Sequence, residues 1–444
     1  MKWNRKPELN PVQILVIGYL IMITIGTFLL SLPISQKAGQ AISTIDALFT
    51  ATSATAITGL VVVNTGETFS TFGQVVIMIL FQIGAIGFMT LTTVYALILG
   101  KNISFKDRLV LQSSLNQLSY AGIVRLTLIV IAVTFLMEAV AALILFLHWL
   151  PEMGAGQALY YGIFHAISGF ANAGFDLFPN SLHQFTGDIV VNATIITLFV
   201  MGGLGFTVLV DLYIKKGKFK RLSLHSKLML YLSAILGLTG IISVFILEYH
   251  NPATMAGFTM KERILASIFQ GLTPRSAGFS TIDIGQMHPV SIMITKVLMF
   301  IGGGPGSNAG GIKLTTFGIL LIVVYTMMRG REDFNVFSRR LPQHLVNKSL
   351  AISIIGIGAV FLISTILLFT EGAPFDVVVF EVISAFATVG LSAGLTPDLS
   401  PTGKIIITIT MFIGRLGPLS LAFALSTRKR KSGIKYIEED VVIG

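Results

Sequence analysis

Eight long apolar runs constrain this chain more than any other feature of it. Val12–Leu32, Leu126–Leu147, Leu228–Tyr249 and Leu350–Phe369 each open a unit of sequence; Phe72–Leu99, Ile189–Tyr213, Ser291–Met328 and Lys404–Leu425 each close one. A helix of about 20 apolar residues rises about 30 Å, the thickness of a bilayer's hydrocarbon core. Composition agrees, with 53% hydrophobic and 12% charged residues in a chain of 444; a soluble domain carries about 25% charged residues. A water-facing globule and a disordered chain are excluded, and with no Cys so is a disulfide-stapled one. The expected class is an all-α integral membrane protein with eight transmembrane helices.

The net charge is +10, carried largely by five basic clusters: Lys2 to Lys6, Lys101 to Arg125, Lys215 to Lys227, Arg329 to Lys348, and Arg428 to Lys435. An even number of crossings separates each cluster from the next. The positive-inside rule then puts all of them, and both termini, in the cytoplasm of a plasma-membrane protein. Nucleic acid is the weaker explanation, since no base-reading motif accompanies the charge. The run Val12–Leu32 is also too long for a signal peptide's apolar region and reads as a retained helix.

Between its opening and closing runs, each unit holds an apolar segment of about ten residues, too short to span. Each such segment ends in small residues and a glycine: Ser53-Ala-Thr-Ala-Ile-Thr58-Gly59-Leu60, Ser168-Gly-Phe-Ala-Asn172-Ala173-Gly174-Phe175, Leu272-Thr-Pro-Arg-Ser276-Ala277-Gly278-Phe279 and Ser384-Ala-Phe-Ala-Thr388-Val389-Gly390-Leu391. The glycines are 115, 104 and 112 residues apart, and ten residues before each stands Phe49, Phe164, Ile268 or Phe380. A second marker follows in the closing runs, Gly84-x-x-Gly87, Gly202-x-x-Gly205, Gly302 to Gly306 and Gly414-x-x-Gly417, beginning 25, 28, 24 and 24 residues after the loop glycine. Two markers in register make the chain four repeats, 1–100, 101–214, 215–328 and 329–435, with a tail 436–444.

A half-helix and loop at membrane depth leave backbone groups unpaired, which is tolerated only inside protein or along a water-filled path. Repeats of one orientation bring such loops together around a pseudo-fourfold axis. Half-helices entering from outside aim their C-terminal partial negative charge at the bilayer centre, and exposed carbonyls replace the hydration shell of an alkali cation. The expected ion path is therefore Thr58 and Gly59; Asn172, Ala173 and Gly174; Ser276, Ala277 and Gly278; Thr388, Val389 and Gly390. The Gly-x-x-Gly pairs are read as close-packing sites on the closing helices.

The third closing run is different. Ser291–Met328 is too long for a single span and carries Gly302, Gly303, Gly304, Pro305, Gly306, Gly310, Gly311 and Lys313. It is expected to break into an intramembrane loop, 302–318, below the filter and to act as a gate. Gly306 to Lys313 is not a phosphate-binding loop, because Ile312 occupies the place of a required residue and no strand precedes it. Arg415 falls in the middle of the fourth closing run, where a cation is expensive. Two readings stand for it: a pore-facing barrier beside the loop, or a cap on the loop's carbonyls. Arg275 is expected to pair with Glu381 or Asp283 behind the filter. Glu138 has no assigned use. The seven His residues are scattered, so no metal site beyond the permeating ion is expected, nor any enzymatic constellation.

With these loops and the interrupted third closing run, the whole chain resembles the Trk/Ktr/HKT superfamily of potassium transporters, and within it the Ktr branch. The resemblance implies potassium as the transported ion, since glycine in the first loop goes with preference over sodium. It also implies a homodimer, a cytoplasmic ring of nucleotide-binding RCK regulatory subunits as partner, no organic cofactor in this chain, possible sodium dependence, and a gating role for the 302–318 loop and Arg415. The rival reading is a secondary transporter with discontinuous helices, which generally uses inverted repeats; the units here share one orientation.

Overall fold

The computed structural model describes residues 11–87, 90, 109–112 and 122–417. The basic clusters at 2–6, 101–108 and 428–435 and the tail 436–444 lie outside the described residues. Four opening helices are long and apolar enough to span: α1 (Pro11–Ser31), α4 (Ile123–Met153), α8 (Leu224–Glu248) and α12 (Gln343–Glu371). They form the periphery. Only 22–28% of each apolar window is buried, and side chains such as Ile21, Phe28, Leu136, Leu147, Ile246 and Phe361 point outward. Apolar surface facing away from the core is what a lipid solvent permits.

The half-helices are the core. They are α2 (Thr44–Thr55), α5 (Ala155–Ala171), α9 (Met260–Leu272) and α13 (Phe375–Phe386). Capping boxes start two of them, Ser43 with Asp46 and Thr259 with Glu262, satisfying first-turn amides. From Phe49 to Thr55 and from Phe380 to Phe386, nearly every side chain is buried.

Four apolar clusters, each straddling two repeats, close the arrangement into a ring. Phe81 packs with Phe164 and Phe175 between the first and second repeats; Phe170 and Phe199 with Phe269 and Phe279 between the second and third. Met299 joins Phe380 and Val389 between the third and fourth, and Phe49 and Leu60 join Val382 and Met411 between the fourth and first. Lys404 and Asp46 add an ion pair of 2.6 Å across that last seam.

Two expectations change here. The closing runs are not straight spans. Helix α3 (Thr71–Ile86) stops at Gly87, α6 (Ile189–Leu204) at Gly205 and α14 (Pro401–Leu416) at Gly417. These glycines have φ of +82°, +97° and +81°, outside the helical region. Beyond Gly205 the chain bends by 96° into α7 (Phe206–Ile214). In the third repeat α10 (Pro289–Phe300) and α11 (Leu314–Met328) flank a loop of residues 301–313, shorter than the expected 302–318 because Leu314 to Gly318 already belong to α11. Among the described residues, the first helix of every closing run thus ends well before the run does, at a glycine in three of them, and in the third the chain continues into a longer loop. Second, the third pore loop is one residue shorter than the others, so the buried aromatic under it is Phe269 rather than Ile268. Residues 335–336 (β1) and 339–340 (β2) add a small hairpin between α11 and α12.

Candidate functional site

Each half-helix ends in a loop with a repeated backbone form. Gly59, Gly174, Gly278 and Gly390 have φ of +88°, +70°, +79° and +92°, and the residue two before each, Ile57, Asn172, Ser276 or Thr388, is also left-handed. A side-chain hydroxyl clamps each loop back onto its half-helix. Ser53 Oγ accepts from Gly59 N (3.1 Å) and Ser384 Oγ from Gly390 N (3.2 Å). Ser168 Oγ donates to Phe175 O (2.6 Å) and Thr273 Oγ1 to Phe279 O (2.6 Å). The only mark of these hydroxyls in the sequence is that Ser53, Ser168 and Ser384 stand at one fixed offset before their glycines.

The four loops meet, and they meet in cyclic order. A Cβ added at Gly59 would lie 2.5 Å from Ala173 O; at Gly174, 3.1 Å from Ala277 O; at Gly278, 2.8 Å from Val389 O; and at Gly390, against Thr58 O. Each glycine therefore abuts the carbonyl that precedes the next repeat's glycine, a closed ring of carbonyl oxygens with no room for a side chain. The side chains two residues earlier turn aside from this ring. Asn172 Nδ2 donates to Phe199 O (3.0 Å) and Ser276 O (2.7 Å), and Ser276 Oγ to Ala387 O (3.3 Å). Thr388 Oγ1 lies against Gly310 of the third closing loop. Thr58, Ala173, Ala277 and Val389 bring their backbone carbonyls to the ring, so any contribution of Asn172, Ser276 or Thr388 is through main chain and spacing.

On one side of the ring opens a cavity of about 380 Å³, lined by the four glycines with Asn64, Asp176, His183, Asp283 and Ser392 among others. On the other lies the third closing loop. Gly302 N donates to Ile312 O (3.0 Å) and Leu314 N to Gly303 O (3.0 Å), folding the segment on itself. Gly304 N donates to Gly203 O (2.9 Å), Asn308 N to Gly202 O (3.2 Å) and Phe206 N to Gly306 O (3.0 Å), docking it on the broken helix of the second repeat. Lys313 Nζ turns back onto Ala309 O (2.5 Å). Gly310 and Gly311 pass so close to the fourth pore loop that added side chains would strike Thr388 and Ala387.

Arg415 holds this loop from the fourth repeat. Its Nη1 donates to Asn308 O (2.7 Å) and its Nη2 to Gly84 O (2.6 Å) at the end of α3. It sits in the last turn of α14, not in mid-helix as the run 404–425 suggested, and its charge faces carbonyls there. Arg415 thus bonds a carbonyl of the loop, the contact the capping reading expects, and it lies directly beside the loop, where the barrier reading would place it. The first glycine of each closing pair packs as expected: side chains added at Gly84, Gly202 and Gly414 would strike Thr55 O, Phe170 O and Phe386 O at the half-helix ends.

Arg275 has neither of its expected partners. It donates to Ser233 O (3.3 Å) and Ser233 Oγ (3.1 Å). Glu381 instead accepts from Ala393 N (3.0 Å), Leu395 N (3.3 Å), Thr396 Oγ1 (2.7 Å) and Ser392 Oγ, while Asp283 accepts from Gly285 N (2.9 Å). A carboxylate that finds this many local donors next to its own pore loop needs no arginine.

The family model TrkH, described as a cation transport protein, matches residues 9–432. The Ktr system potassium uptake protein B of Bacillus subtilis is 46% identical over 444 residues, covering 100% of this chain and 98% of its own. The potassium/sodium uptake protein NtpJ of Enterococcus hirae is 37% identical, covering 100% and 99%. The crystal structure of the potassium transporter TrkH from Vibrio parahaemolyticus superposes with a TM-score of 0.74 at 19% identity, over 96% of this chain and 86% of that one, which speaks for the fold alone. With pore loops meeting in a ring and a family match over nearly its whole length, the chain belongs to the TrkH family of cation transport proteins.

Proposed function

We propose that this chain carries potassium across the plasma membrane through the carbonyl ring at Gly59, Gly174, Gly278 and Gly390, with the loop of residues 301–313 as gate. The observation that carries the reading is the cyclic contact between each glycine and the carbonyl before the next. Such a ring exchanges an alkali ion's water for protein oxygen, and potassium is named for both curated relatives, with sodium beside it for the Enterococcus protein. The direct test is ⁸⁶Rb⁺ uptake in cells lacking their own potassium uptake, with sodium as competitor, comparing wild type with Gly59→Ser. Selective uptake by the wild type and loss of selectivity in the variant are expected. Normal selectivity in Gly59→Ser, at φ +88° and 2.5 Å from Ala173 O, would remove this loop from the filter.

Both termini are proposed to face the cytoplasm, which makes the 380 Å³ cavity the outer vestibule. Asp176 lines it, and burial pushes its carboxyl up to about 7, against the opposing effect of hydrogen bonds with Ser181 and the Phe178 backbone. An acid with a raised pKa is neutral below that value, so the vestibule loses negative charge as external pH falls through about 7. Rubidium uptake at limiting concentration is expected to fall over that interval and to lose this pH dependence in Asp176→Asn. An unchanged profile in the variant would clear Asp176 of the effect.

The proposed partners are a second copy of this chain and a cytoplasmic RCK ring. The Bacillus relative's name, protein B of a Ktr system, supports such an assembly. The basic loops Lys215–Lys227 and Arg329–Lys348, the latter carrying the exposed hairpin with Arg339 and Arg340, offer the cytoplasmic surface for it.

A further inference from the structure

One position in the half-helices carries a pattern that the carbonyl ring by itself does not use. The residue after the buried aromatic of each half-helix is polar: Thr50 after Phe49, His165 after Phe164, Gln270 after Phe269 and Glu381 after Phe380. All four are buried. Two of them reach across their own loop to the chain beyond the glycine. His165 Nε2 accepts from Leu177 N (3.4 Å), and Glu381 Oε1 accepts from Ala393 N (3.0 Å). Each acceptor residue stands nine positions before its glycine and each donor three positions after it. The two bonds are one strut built twice. The other two repeats lack it: Thr50 Oγ1, Gln270 Oε1 and Gln270 Nε2 are buried without a hydrogen-bond partner.

The remaining bonds of both side chains agree with this use. Leu177 N can only donate, so His165 Nε2 is bare and the ring proton is on Nδ1, which donates to Tyr161 O (2.8 Å). The imidazole is wedged against Trp149 and Phe178, at centroid distances of 5.5 and 4.9 Å. Glu381 also accepts from Ser392 Oγ, Leu395 N (3.3 Å) and Thr396 Oγ1 (2.7 Å), and Ser392 Oγ in turn accepts from Gly394 N (3.0 Å). The chain held in this way walls the outer cavity directly beyond the ring, at Asp176 in one repeat and at Leu391, Ser392 and Gly394 in the other.

We propose that His165 and Glu381 are positioning residues for ion selectivity, each fixing the chain on the outer side of the carbonyl ring in its own repeat. These roles presuppose the potassium-uptake reading and deepen it. The ring contacts run from the first repeat to the second, third and fourth and back, so the second and fourth repeats are opposite. The struts therefore brace one diagonal of the ring and leave the other unbraced. The hydroxyl clamps act at the glycine or the residue after it, whereas the struts hold the chain three residues past the glycine. Contacts that touch an ion keep their geometry only when the backbone behind them is locked by such outer bonds.

The test combines ⁸⁶Rb⁺ uptake, with sodium as competitor, and hydrogen exchange of the full-length protein in lipid nanodiscs. His165→Phe keeps a ring against Trp149 and Phe178 and removes the acceptor; Glu381→Ala removes the other strut. The sodium concentration that halves rubidium uptake is expected to fall about threefold in His165→Phe and about tenfold in Glu381→Ala, in line with one lost hydrogen bond and with several. Amides of residues 175–180 and 391–396, respectively, should exchange faster, with those after Gly59 unchanged. Glu381→Gln keeps an oxygen for Ala393 N and lets the Thr396 hydroxyl turn to accept, so it should restore most of the selectivity lost in Glu381→Ala. Wild-type sodium competition in His165→Phe and Glu381→Ala at normal expression overturns the proposal and leaves the transporter reading standing. Glu381→Gln as unselective as Glu381→Ala also overturns it, by making charge rather than bracing the cause. If Glu381→Ala fails to fold, His165→Phe decides on the same readouts. A wild type that takes up no rubidium strikes the transporter reading, and unchanged exchange in the variants would then still overturn the struts.

Discussion

Gly174→Ala is expected to lower rubidium uptake at least about a hundredfold, because a misplacement of about 1 Å in a site of fixed geometry costs on that order. The added methyl would lie 2.7 Å from Gly278 Cα and 3.1 Å from Ala277 O, both main-chain atoms of the neighbouring loop. Its φ of +70° adds about 1–2 kcal/mol of left-handed strain. Main chain cannot rotate away as a side chain can, so the third loop must shift and the carbonyl ring opens. Gly372→Ala is the control. It carries the same kind of strain, φ +61°, but meets nothing within 4 Å at the end of α12. Near-normal uptake by Gly372→Ala beside silent, normally expressed Gly174→Ala would separate crowding of the ring from backbone strain. Substantial uptake by Gly174→Ala would mean that the ring is not where ions pass.

Arg415→Ala is expected to raise rubidium influx about tenfold when no regulatory partner is present. The guanidinium holds Asn308 O and Gly84 O at 2.7 and 2.6 Å, and charge-assisted hydrogen bonds of this kind contribute about 1.5–3 kcal/mol each. Losing them weakens the tie between the 301–313 loop and α3, and a bias of about 1.4 kcal/mol toward an open loop is already tenfold. Arg415→Lys should fall between, since one ammonium cannot reach both carbonyls in the same fork geometry. The measurement is initial-rate ⁸⁶Rb⁺ influx normalised to membrane expression. Unchanged or lower influx at normal expression would leave Arg415 as a structural cap.

Much of this molecule is legible along the chain because the membrane removes alternatives. Apolar runs near 20 residues have few options other than spanning, and a segment too short to span, recurring before a glycine, has few options other than re-entry. The repeat markers therefore located the pore loops and the third closing loop. Less legible were features that depend on conformation at a single residue. Nothing local distinguishes Gly87, Gly205 and Gly417, where the chain turns to φ near +80° to +100°, from the packing glycines Gly84, Gly202 and Gly414. The shortened third loop hid behind a large apolar residue at both Ile268 and Phe269. The hairpin at 335–340 turns on Phe337 and Ser338, at φ +47° and +59°, with none of the Asn-Gly chemistry that announces such turns.

By itself, then, the sequence determined the four long opening helices, the short helix that recurs in each unit and the four glycines that meet in the structure, since hydropathy and period are properties of neighbours in the chain. Tertiary structure alone decided the partners. Arg275 went to Ser233 rather than to a carboxylate, Arg415 to carbonyls of two other repeats, and Gln82 to Glu138 across a repeat boundary. A polar group inside a membrane must take whatever the packing brings within about 3 Å. The positions concerned are 42, 107, 331 and 56 residues apart in the chain; the first pair meets by folding within one repeat, and the closed ring of repeats makes the other three neighbours.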